Sequence, residues 1–170
     1  MRASIAGLDV REPDRSDGEI GLAIARAAVN VMRGEILLSP RAPITVVSFE
    51  EGERPSLSSA LRRRGHKSEI MRVAMDPGDD EMELLEMVLR GLSERSIVVL
   101  MRRAHLHPRQ AAAILRLLRA APDAILISAR EPYDAALFEE ARNLACIYDD
   151  TEVSLEGLAD VMTGRPAAVR

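Results

Sequence analysis

The sequence predicts a layered α/β sandwich, in which a mostly parallel sheet of about five strands is flanked by helices. Short apolar runs of strand length alternate with amphipathic stretches of helix length, and turn residues separate them. This alternation is typical of βαβ units. The chain has 170 residues, which fits one α/β domain. Within it, we expect an irregular N-terminal segment at residues 1–16 and the folded part at residues 17–165.

In the first half of the chain, helices are indicated by apolar residues at helical spacing and by the residues that begin or end them. Ser16 or Asp17 can cap a helix whose broad apolar face must pack against another element. Pro40 and Pro43 bracket a turn before the first buried strand, and Gly65 ends the second helix. The expected order is helix 17–32, strand 44–49, helix 55–64 and strand 70–75.

The second half repeats this alternation. Asp79 and Asp80 follow a Pro-Gly turn and mark the start of a helix. The run at 97–101 is apolar throughout, as in a strand covered on both faces. Pro108 suits the first turn of a helix, where a missing N–H costs nothing. The expected order is helix 81–92, strand 97–101, helix 108–120, strand 125–127, a short helix at 133–141, strand 144–148 and helix 153–162.

Composition and charge argue against several classes of partner. Aromatic residues make up 2% of the chain, too few for the stacking surfaces that bind single-stranded nucleic acid. The net charge of −4 does not favour nucleic acid or an anionic membrane. The arginine clusters 62–64 and 102–103 are interpreted as a solvated helix end and a loop. No apolar run is long enough to span a membrane, and none resembles a signal peptide. We therefore expect no nucleic-acid and no membrane partner.

A single cysteine, Cys146, excludes an internal disulfide and fits a reducing compartment. It lies in an apolar run, so we expect a buried small side chain rather than a reactive thiol. The cytoplasm is the expected location.

Charged residues follow each predicted strand, at the edge of a parallel sheet where ligands usually bind. The turn after strand 44–49 has one glycine and three carboxylates, which would repel the pyrophosphate of a dinucleotide. A phospho-acceptor receiver domain would need an aspartate after the third strand and a lysine after the fifth, where this chain has Arg102 and Asp149. We expect no cofactor.

Metal binding, nucleophilic catalysis and a paired-carboxylate site are each incomplete in the sequence. His105 and His107 have the spacing of two metal ligands, but a third is not evident and His107 can instead precede a helix. Ser128 lacks the glycine-flanked elbow of a nucleophilic serine. Asp149 and Asp150 are adjacent, so their side chains diverge, and capping of the last helix is the alternative role for them.

Several segments resemble the C-terminal domain of family 3 glycoside hydrolases, most closely the β-N-acetylhexosaminidase branch. Residues 125–134, ILISAREPYD, resemble its strand and Pro-Tyr-Asp turn. Residues 148–164 are similar to its closing strand, helix and glycine, and residues 22–40 to its opening helix and the Leu-Leu-Pro entry to its first strand. The segment 105–110, HLHPRQ, also resembles this branch. The resemblance covers about residues 20–165.

This resemblance implies that the chemistry lies outside the chain. In this branch the nucleophilic aspartate and the acid/base loop belong to a preceding (β/α)8 barrel, and the sequence contains no Lys-His-Phe-Pro-Gly-His-Gly loop. No catalytic residue is therefore carried over. The implied role is an accessory domain that packs on a barrel, in cis or in trans, and forms one wall of a site for an N-acetylglucosamine-containing sugar. Residues expected to face that site are Arg130, Tyr133, Asp134 and Asp149.

Two other functions remain open at this stage. The chain can be a free-standing domain, derived from the same fold, that binds a small ligand or a protein. It can also be a small independent enzyme, although every catalytic pattern tested above is incomplete.

Overall fold

The computed structural model describes residues 15–91 and 95–165. Its helices are α1 (Arg15–Ala27), α2 (Leu57–Arg63), α3 (Asp79–Arg90), α4 (Pro108–Ala120) and α5 (Glu152–Met162). Its strands are β1 (Asn30–Arg33), β2 (Ile44–Phe49), β3 (Ser68–Val73), β4 (Ser96–Met101), β5 (Ile125–Ser128) and β6 (Asn143–Cys146). Two 3₁₀ helices span Ala104–Leu106 and Pro132–Leu137.

The described strands form one sheet in the order β1-β6-β5-β4-β2-β3. β2 lies in the middle of a parallel array, with Val46 opposite Ile70 of β3 and Val98 of β4. β5 and β6 continue the parallel pairing, and β1 joins β6 antiparallel at the edge. The carboxyl ends of all five parallel strands therefore lie side by side, and we call this side of the sheet the strand-end edge.

Alternate residues of the central strands supply two cores, one on each face of the sheet. Val47, Phe49 and Val99 pack with residues of α3 and α4 on one face. Val46 and Val98 pack with residues of α2 and α5 on the other. Because side chains alternate along a strand, strands covered on both faces must be apolar throughout, and β2 and β4 are almost entirely so. The predicted layered α/β sandwich is confirmed.

The sheet has six strands rather than about five, because the predicted helix 17–32 is wrong at its C-terminal end. α1 ends at Ala27, and Asn30 then pairs with Cys146 across the sheet. The pairing is irregular between Val31 and Arg33, which marks a β-bulge. Val31 is exposed on this edge strand, so its apolar character does not place it on a buried helix face.

Arg33 links β1 to the 3₁₀ helix Pro132–Leu137 and the residues just after it. Its guanidinium donates to the carbonyl oxygens of Ala135, Phe138 and Glu139 at 3.1, 2.6 and 2.9 Å. These carbonyls lie in the last turn of the 3₁₀ helix Pro132–Leu137 and just after it. The predicted α-helix at 133–141 is thus a shorter 3₁₀ helix, and a side chain from a distant strand bonds to the carbonyls at its end.

Other boundaries shift by a few residues. Strand 144–148 ends at Cys146, since Tyr148 has a φ of 54° that breaks the extended conformation. α1 starts at Arg15, inside the segment expected to be irregular, and residues 1–14 of that segment lie outside the described part of the chain. The expected burial of Cys146 is confirmed, and this burial raises the pKa of its thiol.

α1 and α5 cross closely because a glycine stands at the contact. A Cβ on Gly157 would lie 2.7 Å from the Ala25 Cβ and from its carbonyl carbon. The same helix pair is linked by charge, since the buried Asp160 of α5 accepts from Arg26 Nε of α1 at 2.5 Å. Asp160 also accepts from Arg64 Nε, at the end of α2, at 2.6 Å. The interpretation of Arg64 as solvated was wrong, because its side chain is buried in this ion-pair cluster.

We expect Gly157→Ala to lower the free energy of unfolding by about 1–3 kcal/mol, the usual cost of overpacking. The backbone of Ala25 blocks the new methyl group, so the two helices must separate. The matched control is Gly21→Ala on α1, whose Cβ would make an ordinary 3.8 Å contact with Val153 of α5. That change should stabilise by about 1 kcal/mol through helix propensity. Urea denaturation measures both, and equal effects of the two substitutions would contradict the close crossing.

Candidate functional site

A buried arginine organises the carboxyl ends of the parallel strands. Arg102 directly follows β4, and only 3% of its side chain is exposed. Its Nε donates to Asp150 Oδ2 at 2.7 Å, and its Nη1 donates to the Phe49 carbonyl at 2.8 Å and to Ser48 Oγ at 3.1 Å. These contacts connect the ends of β2 and β4 with the loop before α5.

The backbone of Arg102 is fixed as firmly as its side chain. The amide side chain of Gln110, buried in α4, accepts from the Arg102 N–H and donates to the Arg102 carbonyl, both at 3.1 Å. Arg103 then adopts a left-handed conformation with φ of 51°, which turns the chain away from the strand. The interpretation of 102–103 as a solvated loop was wrong for Arg102, because its guanidinium group is buried inside the protein.

Asp150 is shared by three guanidinium groups. Besides Arg102, it accepts from Arg130 Nη2 at 3.1 Å and from Arg54 Nη1 at 3.4 Å. Burial raises the pKa of the Asp150 carboxyl, but hydrogen bonds from Arg102 and Arg130 outweigh it, so the pKa lies below its usual range. Burial also lowers the pKa of Arg102, against the opposing effect of Asp150. Asp150 is the central carboxylate of this edge, and the sequence prediction singled out its neighbour instead.

Asp149, the predicted ligand-facing residue, is exposed and points to the start of α5. It accepts from Thr151 Oγ1 at 2.8 Å and from Ser154 Oγ at 3.1 Å. Thr151 is the N-cap of α5, so Asp149 supports the capping that was the alternative role for these carboxylates. Burial raises the pKa of Asp149, but the bonds from Thr151 and Ser154 outweigh it and lower the pKa overall.

A second group of polar residues lies beside this edge, around His105. The carboxylate of Asp134 is fully buried and accepts from the His105 backbone N–H at 3.0 Å. The same oxygen lies 2.7 Å from His105 Nδ1. Asp134 was predicted to face a ligand, but with no exposed surface it reaches one only through the imidazole that it orients.

The remaining predicted residues are accessible. Tyr133 is 69% exposed and meets the His105 ring edge-to-face at 5.9 Å between centroids. Glu131 Oε2 lies 3.3 Å from His105 Nε2, and Glu131 Oε1 lies 3.2 Å from Arg103 Nε. The structure therefore brings Tyr133 and Asp134 together around His105, and places Arg130 with Asp150. Sequence reasoning considered His105 only as a metal ligand and did not connect it with Asp134.

This arrangement can bind and orient a polar ligand, but it holds no complete catalytic set in the part of the chain that the structure describes. Ser128 Oγ donates to the Glu131 carbonyl at 2.6 Å, so it is not placed as a nucleophile. No group of three potential ligands that could hold a metal ion occurs among residues 15–91 and 95–165. Within those same ranges, no helix combines the length and apolar character needed to cross a bilayer.

The fold is similar to one portion of several solved family 3 glycoside hydrolases. A β-N-acetylglucosaminidase from Paenibacillus sp. str. FPU-7 matches with a TM-score of 0.79 and 23% identity, over 97% of this chain and 34% of that chain. A β-glucosidase from Listeria innocua matches with a TM-score of 0.72 and 12% identity, over 94% and 28%. A fungal multi-domain β-N-acetylglucosaminidase matches with a TM-score of 0.67 and 14% identity, over 91% and 19%.

No family model and no curated protein matches the sequence. The structural matches confirm the fold implied by the resemblance to family 3 glycoside hydrolases. The chain spans between 19% and 34% of the length of these three solved chains, so it corresponds to a part of each of them.

The two adjacent aspartates should differ sharply in their effect on stability. Asp150→Ala leaves Arg102 buried without its main counter-charge, and we expect a loss of about 3–5 kcal/mol in the free energy of unfolding. Asp149→Ala removes hydrogen bonds at an exposed helix start and should cost about 0.5–1.5 kcal/mol. The midpoints of urea unfolding measure this difference in stability, provided that the dependence of the free energy of unfolding on urea concentration is the same for both variants. Similar midpoints for the two variants would contradict the central role of Asp150.

Acid should destabilise the protein through the described carboxyl groups whose pKa is lowered in the folded state: Glu69, Asp149, Asp150, Glu156 and Asp160. A lowered folded pKa contributes stability above the unfolded pKa, and this contribution is lost as pH falls through the folded pKa. We expect a constant free energy of unfolding above about pH 5 and a progressive fall below about pH 4. Denaturant titrations across this range test it, and a flat profile down to about pH 3 would be the contrary result.

Proposed function

We propose that this chain is the accessory C-terminal-type domain of a family 3 glycoside hydrolase of the β-N-acetylhexosaminidase kind, inactive alone. It packs on a catalytic (β/α)8 barrel, in cis or in trans. One observation carries the proposal: the match to the Paenibacillus β-N-acetylglucosaminidase takes in 97% of this chain and only 34% of that one. Such a ratio fits a module that works together with a larger catalytic part.

The site geometry supports a non-catalytic role. His105 is oriented by Asp134, yet neither Ser128 nor the buried Cys146 is presented as a nucleophile beside it. The charged groups around Asp150 are paired with one another rather than separated as an acid and a base. What remains is a polar surface that can contact a ligand held by another module.

Exposed apolar side chains support docking against a partner. Ile20 and Ile24 lie one turn apart on α1 and are 57% and 64% exposed. Val31 and Met32 on β1, the strand that follows α1, are exposed as well. Apolar residues at these positions contribute nothing to the two cores, and a barrel packed over them would remove them from water.

In this proposal the ligand is an N-acetylglucosamine-containing sugar at the wall formed by the strand ends. Tyr133 offers an exposed ring for stacking on a sugar, and Arg130 offers guanidinium donors at the same edge. Asp134 acts through His105, and Asp149 contributes its exposed carboxylate. The single buried cysteine fits a cytoplasmic location.

The alternative function is a free-standing domain that has lost its barrel and binds a small ligand or a protein. The charged strand-end edge favours this alternative, because it has features of a binding surface without any barrel. The size of the protein in extracts of its own organism separates the two. An immunoblot band several times larger than 18.7 kDa supports a barrel in cis, and a band near 18.7 kDa favours the free-standing domain or a barrel in trans.

The chain alone should not hydrolyse a chromogenic N-acetyl-β-glucosaminide. The barrel residues that perform the chemistry in the resembling enzymes are missing, and the described site has no nucleophile to replace them. The measurement compares release of the chromophore by the purified chain with release by buffer alone. Glu131→Gln serves as a matched variant, since Glu131 is the carboxylate next to the exposed nitrogen of His105. Hydrolysis that is present in the chain and lost in this variant would refute the proposal.

A further inference from the structure

A small pocket opens at the strand-end edge, between the loops after β2, β4 and β5, and four arginines line it. Its volume is about 90 Å³. We call it the arginine pocket and define it by its lining residues: Glu51, Arg54, Met75, Arg102, Arg103, His107 and Arg130. Glu51 is exposed at its rim and is the carboxylate in this set. The lining is therefore strongly cationic, although the protein as a whole carries a net charge of −4.

Two buried nitrogens of these arginines have no hydrogen-bond partner among the described residues. They are Nη2 of Arg102 and Nε of Arg54. The other two guanidinium nitrogens of Arg102 donate to Asp150, Ser48 and the Phe49 carbonyl, so Nη2 is the nitrogen of this group that lacks a described acceptor. A buried donor on a charged group is costly to leave unpaired, so an acceptor oxygen brought beside these guanidinium groups would be stabilised.

The balance of charged groups around Asp150 also favours an added acceptor. Arg54, Arg102 and Arg130 share the single carboxylate of Asp150. Arg102 also lies 3.8 Å from Glu50, but Glu50 is engaged by Arg72 at 2.6 Å. Around Asp150, guanidinium groups thus outnumber the carboxylates available to them, and the surplus is positive.

The size and chemistry of the pocket define its ligand. A pocket of about 90 Å³ accommodates several water molecules or one compact oxyanion group in their place. Guanidinium groups bind phosphate and carboxylate oxygens with short charge-assisted hydrogen bonds, and they repel metal ions. We propose that the arginine pocket is a binding site for a small oxyanion, namely the phosphate or carboxylate group of a small molecule.

This inference goes beyond the proposed function and does not depend on a barrel. The donors, the cavity and the surplus charge all lie within the chain. Binding of an oxyanion and absence of glycoside hydrolysis are separate measurements, so each proposal can fail without the other.

The test uses the full chain with inorganic phosphate and, separately, acetate as probes, at an ionic strength held constant with sodium chloride. Constant ionic strength removes general screening, which any anion would produce. Two-dimensional NMR of the arginine Nε–Hε groups follows the titration. We expect saturable shifts at Arg54, Arg102 and Arg130. Tighter binding of phosphate identifies a phosphate ligand, and tighter binding of acetate identifies a carboxylate.

The variants Arg54→Gln and Arg130→Gln each remove a partly exposed donor and should weaken binding about tenfold or more, the value of a charge-assisted hydrogen bond. The control is Arg142→Gln, an exposed arginine paired with Asp123 at the opposite edge of the sheet, which should bind as the original chain does. Thermal unfolding confirms that each variant is folded. Absence of saturable shifts with both probes, or equal weakening by the control and pocket variants, would overturn the proposal.

Discussion

The burial of one guanidinium group is the constraint on which the arrangement of the strand ends depends. Arg102 follows directly from a central strand, so its charge enters the protein where the sheet ends. A charge in that position is tolerated only if it is paired and hydrogen-bonded. The carboxylate comes from the loop before α5 and the neutral acceptors from β2, so meeting this requirement fixes three parts of the chain relative to each other. It also leaves one guanidinium nitrogen of Arg102 without a partner among the described residues, beside a pocket that four arginines line.

The fold was largely predictable because its signals are local. A strand covered on both faces has to be apolar, and a helix on a sheet has to be amphipathic, so β2, β4 and α4 are visible in the sequence. The boundary between α1 and β1 was missed for the opposite reason. Whether Asn30 continues a helix or pairs with Cys146 is decided by a strand more than a hundred residues away. The 3₁₀ helix at Pro132–Leu137 likewise depends on Arg33, which comes from that same edge strand.

The site was predictable in place but not in detail. Parallel strands put their carboxyl ends at one edge, so charged residues after the strands could be expected to gather there. Which member of an adjacent pair turns inward is a matter of backbone geometry. The positive φ of Tyr148 reorients the chain just before Asp149 and Asp150, and no spacing rule in the sequence reveals this. The burial of Asp134 against His105 is also a contact between two separate loops.

The two outermost strands of the sheet, β3 and β1, also bear on self-association. β3 forms one edge, and its Glu69 and Arg72 side chains are exposed. Charged side chains on an edge strand are one device by which natural sheets limit pairing with another chain. β1 forms the other edge; it has four residues, of which only three pair with β6, and a bulge interrupts the pairing. A strand from another chain would therefore meet charged side chains at β3 and an interrupted strand at β1, two features that natural sheets use against edge-to-edge pairing.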